Sequence, residues 1–261
     1  NAAELALQAW PIRARLRRLR LVRSAVVAVW RQGVPNGVQF FLEVGAFFIL
    51  TAIIAHMSAT EAAAHQMVLH LINVSFLPAH ALAEAASVMV GQAVGAGRPE
   101  LVRVVAKRTL LLATCYALTC SVLYLVFGGL VTTSMSGDDP ELAAAALGLL
   151  HVGIAFLVAD SANVIARGVL RGAGDVRYAA VVGVVSTWLT TPPLAFLLGY
   201  VAGLGAIGGW IGLCVEIFVG ASLFWLRIHR EGWRPAAIRT RSMVVQPGVT
   251  AADATGASGA I

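Results

Sequence analysis

Where the arginines and lysines fall constrains this chain more than any other feature of its sequence. All 19 of them lie in four clusters: Arg13 to Arg31, Arg98 to Arg108, Arg167 to Arg177, and Arg227 to Arg241. Each interval between clusters is a long apolar stretch broken once by a turn, near His56, near Asp138 and near Gly203. None of these three turns holds a basic residue, and the middle one is acidic. Basic residues kept to alternate loops are the mark of a polytopic membrane protein with its basic loops in the cytoplasm. An even number of spans, with both chain ends on the cytoplasmic side, satisfies the pattern.

Six segments are long enough to cross the roughly 30 Å hydrocarbon layer as helices, which takes about 20 apolar residues. They run from about Gly33 to Met57, Ala62 to Val94, Thr109 to Val131, Leu142 to Leu170, Tyr178 to Tyr200, and Leu204 to Leu226. Composition agrees, because 59% of the 261 residues are hydrophobic and only 12% are charged. A soluble domain carries about a quarter charged residues, so lipid must solvate much of this surface. The breaks carry helix-boundary chemistry: Ser58 before the second segment as an N-cap, Gly97 and Pro99 between the second and third, Pro140 before the fourth. The predicted fold is all-α, a six-span transmembrane bundle over residues 31–231. Residues 1–30 form a basic amphipathic linker on the cytoplasmic leaflet. Residues 232–261, poor in large apolar groups, form a disordered cytoplasmic tail.

Several function classes drop out. A net charge of +6 suits nucleic acid, but the charges sit in short clusters between apolar runs, so no nucleic-acid partner is expected. Cys115, Cys120 and Cys214 lie inside apolar runs with no redox or metal-ligand spacing, and no HExxH motif occurs. No bound metal or cofactor is expected. Asp138, Asp139 and Glu141 could hold Mg²⁺, but Asp-Pro after Gly137 is ordinary helix-start chemistry, so an enzyme is not expected.

Ionisable groups within a bilayer cost roughly 2.5–3.5 kcal/mol each, and each is a functional candidate. Four carboxylates fall within the segments: Glu43, Glu84, Asp160 and Glu216. At 1.5 Å per residue, Glu43 lies roughly 18 Å from Arg31 and Asp160 roughly 16 Å from Arg171. Both are at middle depth, on different helices, where one cavity could hold them. Two acids out of water can share a proton or a small cation, so Glu43 and Asp160 are the expected cation-coupling pair, with Na⁺ possible there. His70, Asn73, Glu84, Asn163 and Asn36 are candidates for the lining of the same path. His65 and His80 join His70 on the second segment, where a satisfied interhelical histidine is the plainer expectation. Pro35, Pro78 and Pro192-Pro193 each remove a helical hydrogen bond, and such breaks often adjoin a transporter cavity.

Several motifs, in order, resemble the C-terminal lobe of the multidrug and toxic compound extrusion (MATE) family. They are Gly33-Val34-Pro35 followed by Glu43, then Ala64-His65-Gln66, then Val90 through Arg98 (VGQAVGAGR). Ala159-Asp160 and the stretch from Arg167 to Asp175 (RGVLRGAGD) complete the set, and the resemblance covers about residues 25–230. It implies twelve helices in two six-helix lobes, export of cationic, amphiphilic drugs or metabolites in exchange for Na⁺ or H⁺, and acidic cation-site positions at Glu43 and Asp160. His70 falls where relatives often carry Asn, and Glu84 where they are usually apolar. The chain then reads as one half of an antiporter in a bacterial cytoplasmic membrane. Its partners would be membrane lipid, a small cationic organic substrate and an N-terminal lobe, or a second copy, that it lacks. Two rivals stand beside this reading. One is a non-transporting membrane subunit. The other is a lipid-linked oligosaccharide flippase of the same superfamily, which is expected to face its pyrophosphate with Arg or Lys. Assigning every basic residue to the cytoplasmic clusters disfavours the flippase.

Overall fold

The computed structural model describes residues 23–137 and 139–244, and among these there are helices and turns but no strands. The helices are α1 (Arg23–Ala55), α2 (Ala59–Gly95), α3 (Glu100–Ser136), α4 (Pro140–Gly172), α5 (Val176–Leu194), α6 (Gly205–His229) and α7 (Arg234–Val244). α5 continues as a π-helix over Ala195–Val201. Six of these elements, α1 to α6, are long and apolar enough to cross a bilayer. Their bounds overlap the six sequence segments, and most extend a turn or two beyond them.

The ends follow the expected local chemistry. Ser58 Oγ accepts from the Glu61 backbone N–H at 3.0 Å and caps α2. Asp139 accepts from the N–H groups of Glu141 and Leu142, both at 3.0 Å, with Pro140 in the first turn of α4. Glu61 reaches farther: its carboxylate accepts from the Ala206 N–H at 2.7 Å and so caps the start of α6. After Pro192-Pro193 the α-helical ladder of α5 ends at Leu194 and the backbone rewinds into the π segment.

α4 is the hub. It packs along α2, and it also touches α3 and α6, while α5 lies against α1 and α6. Gly168 and Gly172 let α4 press against α2 at Ala83 O and Ser87 O, positions a Cβ could not share. One apolar cluster, around Val90, Val102, Leu170, Phe224 and Trp233, fills the bundle at the basic end. A second, around Leu50, Ile54, Val68, Leu149 and Trp210, fills the other end. Outward-facing Phe41, Leu77, Leu111, Leu130, Leu189 and Phe218 are each more than half exposed, the surface that hydrocarbon rather than water would cover.

At the basic end, ion pairs tie the turns together. Arg227 donates to Asp175 at 3.0 Å, and Glu231 pairs with Arg103 at 3.3 Å and Arg234 at 2.6 Å. Within the expected disordered tail, 232–261, the structure differs over its first part, where residues 234–244 form α7. Trp233 is 1% exposed and Ala236 and Ala237 are buried with it. Arg241 and Thr240 lie against Gly97 and Gly174, two glycines with positive φ in the turns above. Three small contacts anchor a polar helix whose composition resembles a tail. Residues 1–22 and 245–261 lie outside the described residues, and with them most of the expected amphipathic linker.

Candidate functional site

Asp160, Asn163, Arg167 and Arg171 succeed one another on α4 at intervals of three, four and four, the spacing of a single helix face. That face closes one side of a cavity of about 620 Å³. α1 contributes Gln39 and Glu43, α2 contributes Phe76 and His80, α5 contributes Thr187 and Thr191, and α6 contributes Glu216. Glu43 and Asp160, on separate helices, thus line one chamber.

The acids are treated differently. Arg167 Nη1 donates to both carboxylate oxygens of Glu43, at 2.7 and 2.8 Å. Gln39 Nε2, one turn earlier on α1, donates to Glu43 Oε1 at 2.9 Å. The guanidinium carbon lies 5.3 Å from the centre of the Phe224 ring, within cation–π range. Gly183 on α5 faces this group so closely that an added Cβ would stand 2.6 Å from Glu43 Oε1 and 2.9 Å from Gln39 Nε2. Glu216 is 3% exposed and accepts from Thr187 Oγ1 at 2.9 Å. Asp160 is 5% exposed, and no described residue donates a hydrogen bond to its carboxylate. Among the described residues no three His, Cys, Asp or Glu side chains gather as a metal cluster.

The other sequence candidates spread out. Asn163 lines the cavity and its Nδ2 donates to Ile217 O at 3.1 Å, joining α4 to α6. Glu84 is exposed outside the cavity, where Arg171 donates to it and His80 lies 3.9 Å away. His70 and Asn73 are exposed and outside the cavity. Asn73 shares the face of His80 but lies about two turns farther along α2, and His70 is rotated from it by roughly a quarter turn. The side chain of Asn36 lies outside the described residues. His65 is the satisfied interhelical histidine: Trp210 Nε1 donates to its Nδ1 at 3.0 Å, and Thr51 Oγ1 lies 3.2 Å from its Nε2.

Arg167 is the residue that sequence reasoning missed. It had been counted with the cytoplasmic cluster, yet it faces the cavity, as does Arg171. Arg167 and Arg171 therefore supply the cavity-facing basic residues that the flippase reading requires, and that objection to it falls. The seven-residue spacing from Asp160 was the available signal, two turns along the same face. Once the Glu43–Arg167 and Glu84–Arg171 pairs are set aside, Asp160 and Glu216 remain as two acids with no ion pair among the described residues.

Comparison with known proteins follows the same lines. The family model described as MatE matches residues 35–197. A probable multidrug resistance protein NorM from Pseudomonas syringae pv. tomato is 31% identical over 210 residues, 77% of this chain and 45% of that protein. A protein of the same description from Bradyrhizobium diazoefficiens is 34% identical over 206 residues, 76% of this chain and 43% of that one. The chain spans about half the length of the curated relatives it matches. The crystal structure of the eukaryotic MATE transporter AtDTX14 superposes with a TM-score of 0.75 at 22% identity, covering 83% of this chain and 48% of that one. A MATE protein solved in complex with MaD3S gives 0.76 at 18% identity, covering 90% and 54%. At such identities the structures speak for the fold.

Proposed function

We propose a function for this chain from one premise: it belongs to the MatE family. It is a multi-span membrane transporter chain of the multidrug efflux kind, and it acts as one six-helix lobe of a secondary active antiporter. The antiporter exports cationic, amphiphilic drugs or metabolites in exchange for Na⁺ or H⁺. A second six-helix lobe faces this one across the transport path, and both ends of the chain lie on the cytoplasmic side of a bacterial cytoplasmic membrane.

The single observation that carries the reading is a pair of buried acids, Asp160 and Glu216, that form no ion pair among the described residues and share one chamber with Glu43. Unpaired carboxylates away from water are costly, and a proton, a Na⁺ ion or a cationic ligand relieves that cost. A cation can drive the cycle only through its different affinity for the two lobe arrangements, and acids contributed by α1, α4 and α6 give it helices to act on. The same observation weighs against the flippase. The guanidiniums of Arg167 and Arg171 are engaged by carboxylates, so the groups left over would repel a pyrophosphate.

The test uses the protein as its gene encodes it, reconstituted in liposomes, with ethidium transport driven by an imposed Na⁺ or H⁺ gradient. Asp160→Asn and Glu43→Gln are each expected to lower gradient-driven transport at least about tenfold, the effect of losing a coupling of ordinary size, with the protein still inserted. Transport unchanged in both variants removes these acids from the mechanism.

A further inference from the structure

Glu43 already holds a cation, and that cation belongs to the chain. Arg167 occupies both of its oxygens, Gln39 adds a third hydrogen bond, and Gly183 leaves the space the group needs. The guanidinium is only partly satisfied, because its Nε is buried with no hydrogen-bond partner. Asp160, two turns earlier on the same face of α4, and Glu216, across the cavity on α6, form no ion pair among the described residues. Helical side chains lean toward the helix N-terminus, which aims Arg167 along the face toward Asp160. A second home for the guanidinium is therefore within the same chamber.

We propose that Arg167 is a tethered cation that competes with the coupling cation for Glu43. While Glu43 is ionised and unoccupied, the ion pair latches α1 to α4. A proton or Na⁺ arriving at Glu43 takes the place of the guanidinium, which swings toward Asp160 and Glu216. Occupancy of one acid is thereby passed to the other two, and the α1–α4 contact loosens at the same moment. Arg167 is a positioning residue in this scheme, and the scheme rests on the antiport reading above. The titratable and charged groups that line the chamber with Glu43 are Arg167, Arg171 and Asp160 from α4, His80 from α2 and Glu216 from α6. α1 itself adds Gln39, and α5 presents only the hydroxyls of Thr187 and Thr191.

The experiment measures the cation concentration that gives half-maximal ethidium transport in liposomes, in a Na⁺ series at alkaline pH and in a pH series without Na⁺. With the competitor gone, Arg167→Gln is expected to reach half-saturation at about tenfold lower concentration of the coupling cation, a coupling of ordinary size. Arg167→Lys, which keeps a charge, should stay near the parent. In the Glu43→Gln background, Arg167→Gln should produce no further shift, because the two residues act as one pair. If Arg167→Gln lowers the maximal rate and leaves half-saturation where it was, the residue is structural and the latch is overturned. Should Arg167→Gln not transport at all, the same cation series is read as the thermal unfolding midpoint of the purified protein. A lowered half-saturation there supports the latch and an unchanged one overturns it. The two readings fail separately: the latch can fall while Glu43→Gln still lowers transport, whereas transport untouched by Glu43→Gln and Asp160→Asn removes these acids from the mechanism and, with them, the coupling reading on which the latch rests.

Discussion

At the scale of single residues, two kinds of buried polar group coexist, and they should respond oppositely to mutation. His65 is 1% exposed and bonded on both ring nitrogens, to Trp210 and Thr51, away from the cavity. Replacing it with Leu strands the Trp210 N–H in a site that is 0% exposed, an expense of about 1–3 kcal/mol. His65→Leu should therefore lower the thermal midpoint of the purified protein while the cation concentration for half-maximal transport stays the same. A changed half-saturation would assign His65 to the cavity machinery instead. Asp160 should do the reverse, since Asp160→Asn removes an unpaired buried acid and is expected to keep or raise the midpoint while transport falls. Sequence alone located Glu43 and Asp160 because an acid in an apolar run stands out wherever its partner lies. It could not locate the role of Arg167. One turn before Arg171, Arg167 could equally have reached water at the membrane surface. Only Glu43, 124 residues away on another helix, decides that it points inward.

At the scale of elements, hydropathy and capping residues gave the helix bounds, since both are local. The register between helices is not local, and it depends on where backbone can meet backbone. Gly168 and Gly172, four residues apart, put α4 against Ala83 O and Ser87 O of α2, and Cβ atoms at either site would overlap main-chain atoms. Without a hydrophobic drive between helices in lipid, such close contact is what holds them together. Gly168→Val and Gly172→Val are expected to disrupt α2–α4 packing and strip most of the monodisperse peak from size-exclusion chromatography in detergent. Gly129 on α3 has nothing within 4 Å of an added Cβ, so Gly129→Ala should elute as the parent does. Equal behaviour of the three variants would mean that the α2–α4 crossing is not set by these glycines. α7 shows the converse limit on reading elements from composition. Its sequence, RPAAIRTRSMV, is polar enough to pass for a tail. It is ordered by Trp233 beneath the bundle and by glycine turns far away in sequence, none of which a local window contains.

At the scale of the whole molecule, the clustering of basic residues in sequence becomes a single basic end in space. The α2–α3 turn, the α4–α5 turn and the end of α6 meet there: Arg103 pairs with Glu231, Arg227 pairs with Asp175, and Arg241 lies against Gly97. The opposite end, at Ser58, Asp139 and Gly203, contains no Lys or Arg among those turns. An anionic cytoplasmic leaflet would hold the basic end inside. The asymmetry can be read directly in intact cells by labelling single cysteines with a membrane-impermeant maleimide, after Cys115, Cys120 and Cys214 have been replaced with Ser. Ala59→Cys and Ala202→Cys, both exposed at the neutral end, should label from outside. Ala96→Cys and Arg230→Cys, exposed at the basic end, should label only once the membrane is opened. The cavity acids then acquire a direction. Arg171 lies eleven residues and roughly 16 Å beyond Asp160 toward the basic end, so with that labelling pattern Asp160 would sit on the outer side of Arg167 and a cation entering from outside would meet Asp160 before Glu43. The reversed labelling pattern would invert that order. Arg167 would then be the first group met from outside, and a latch there would guard the entrance instead of answering to occupancy behind it.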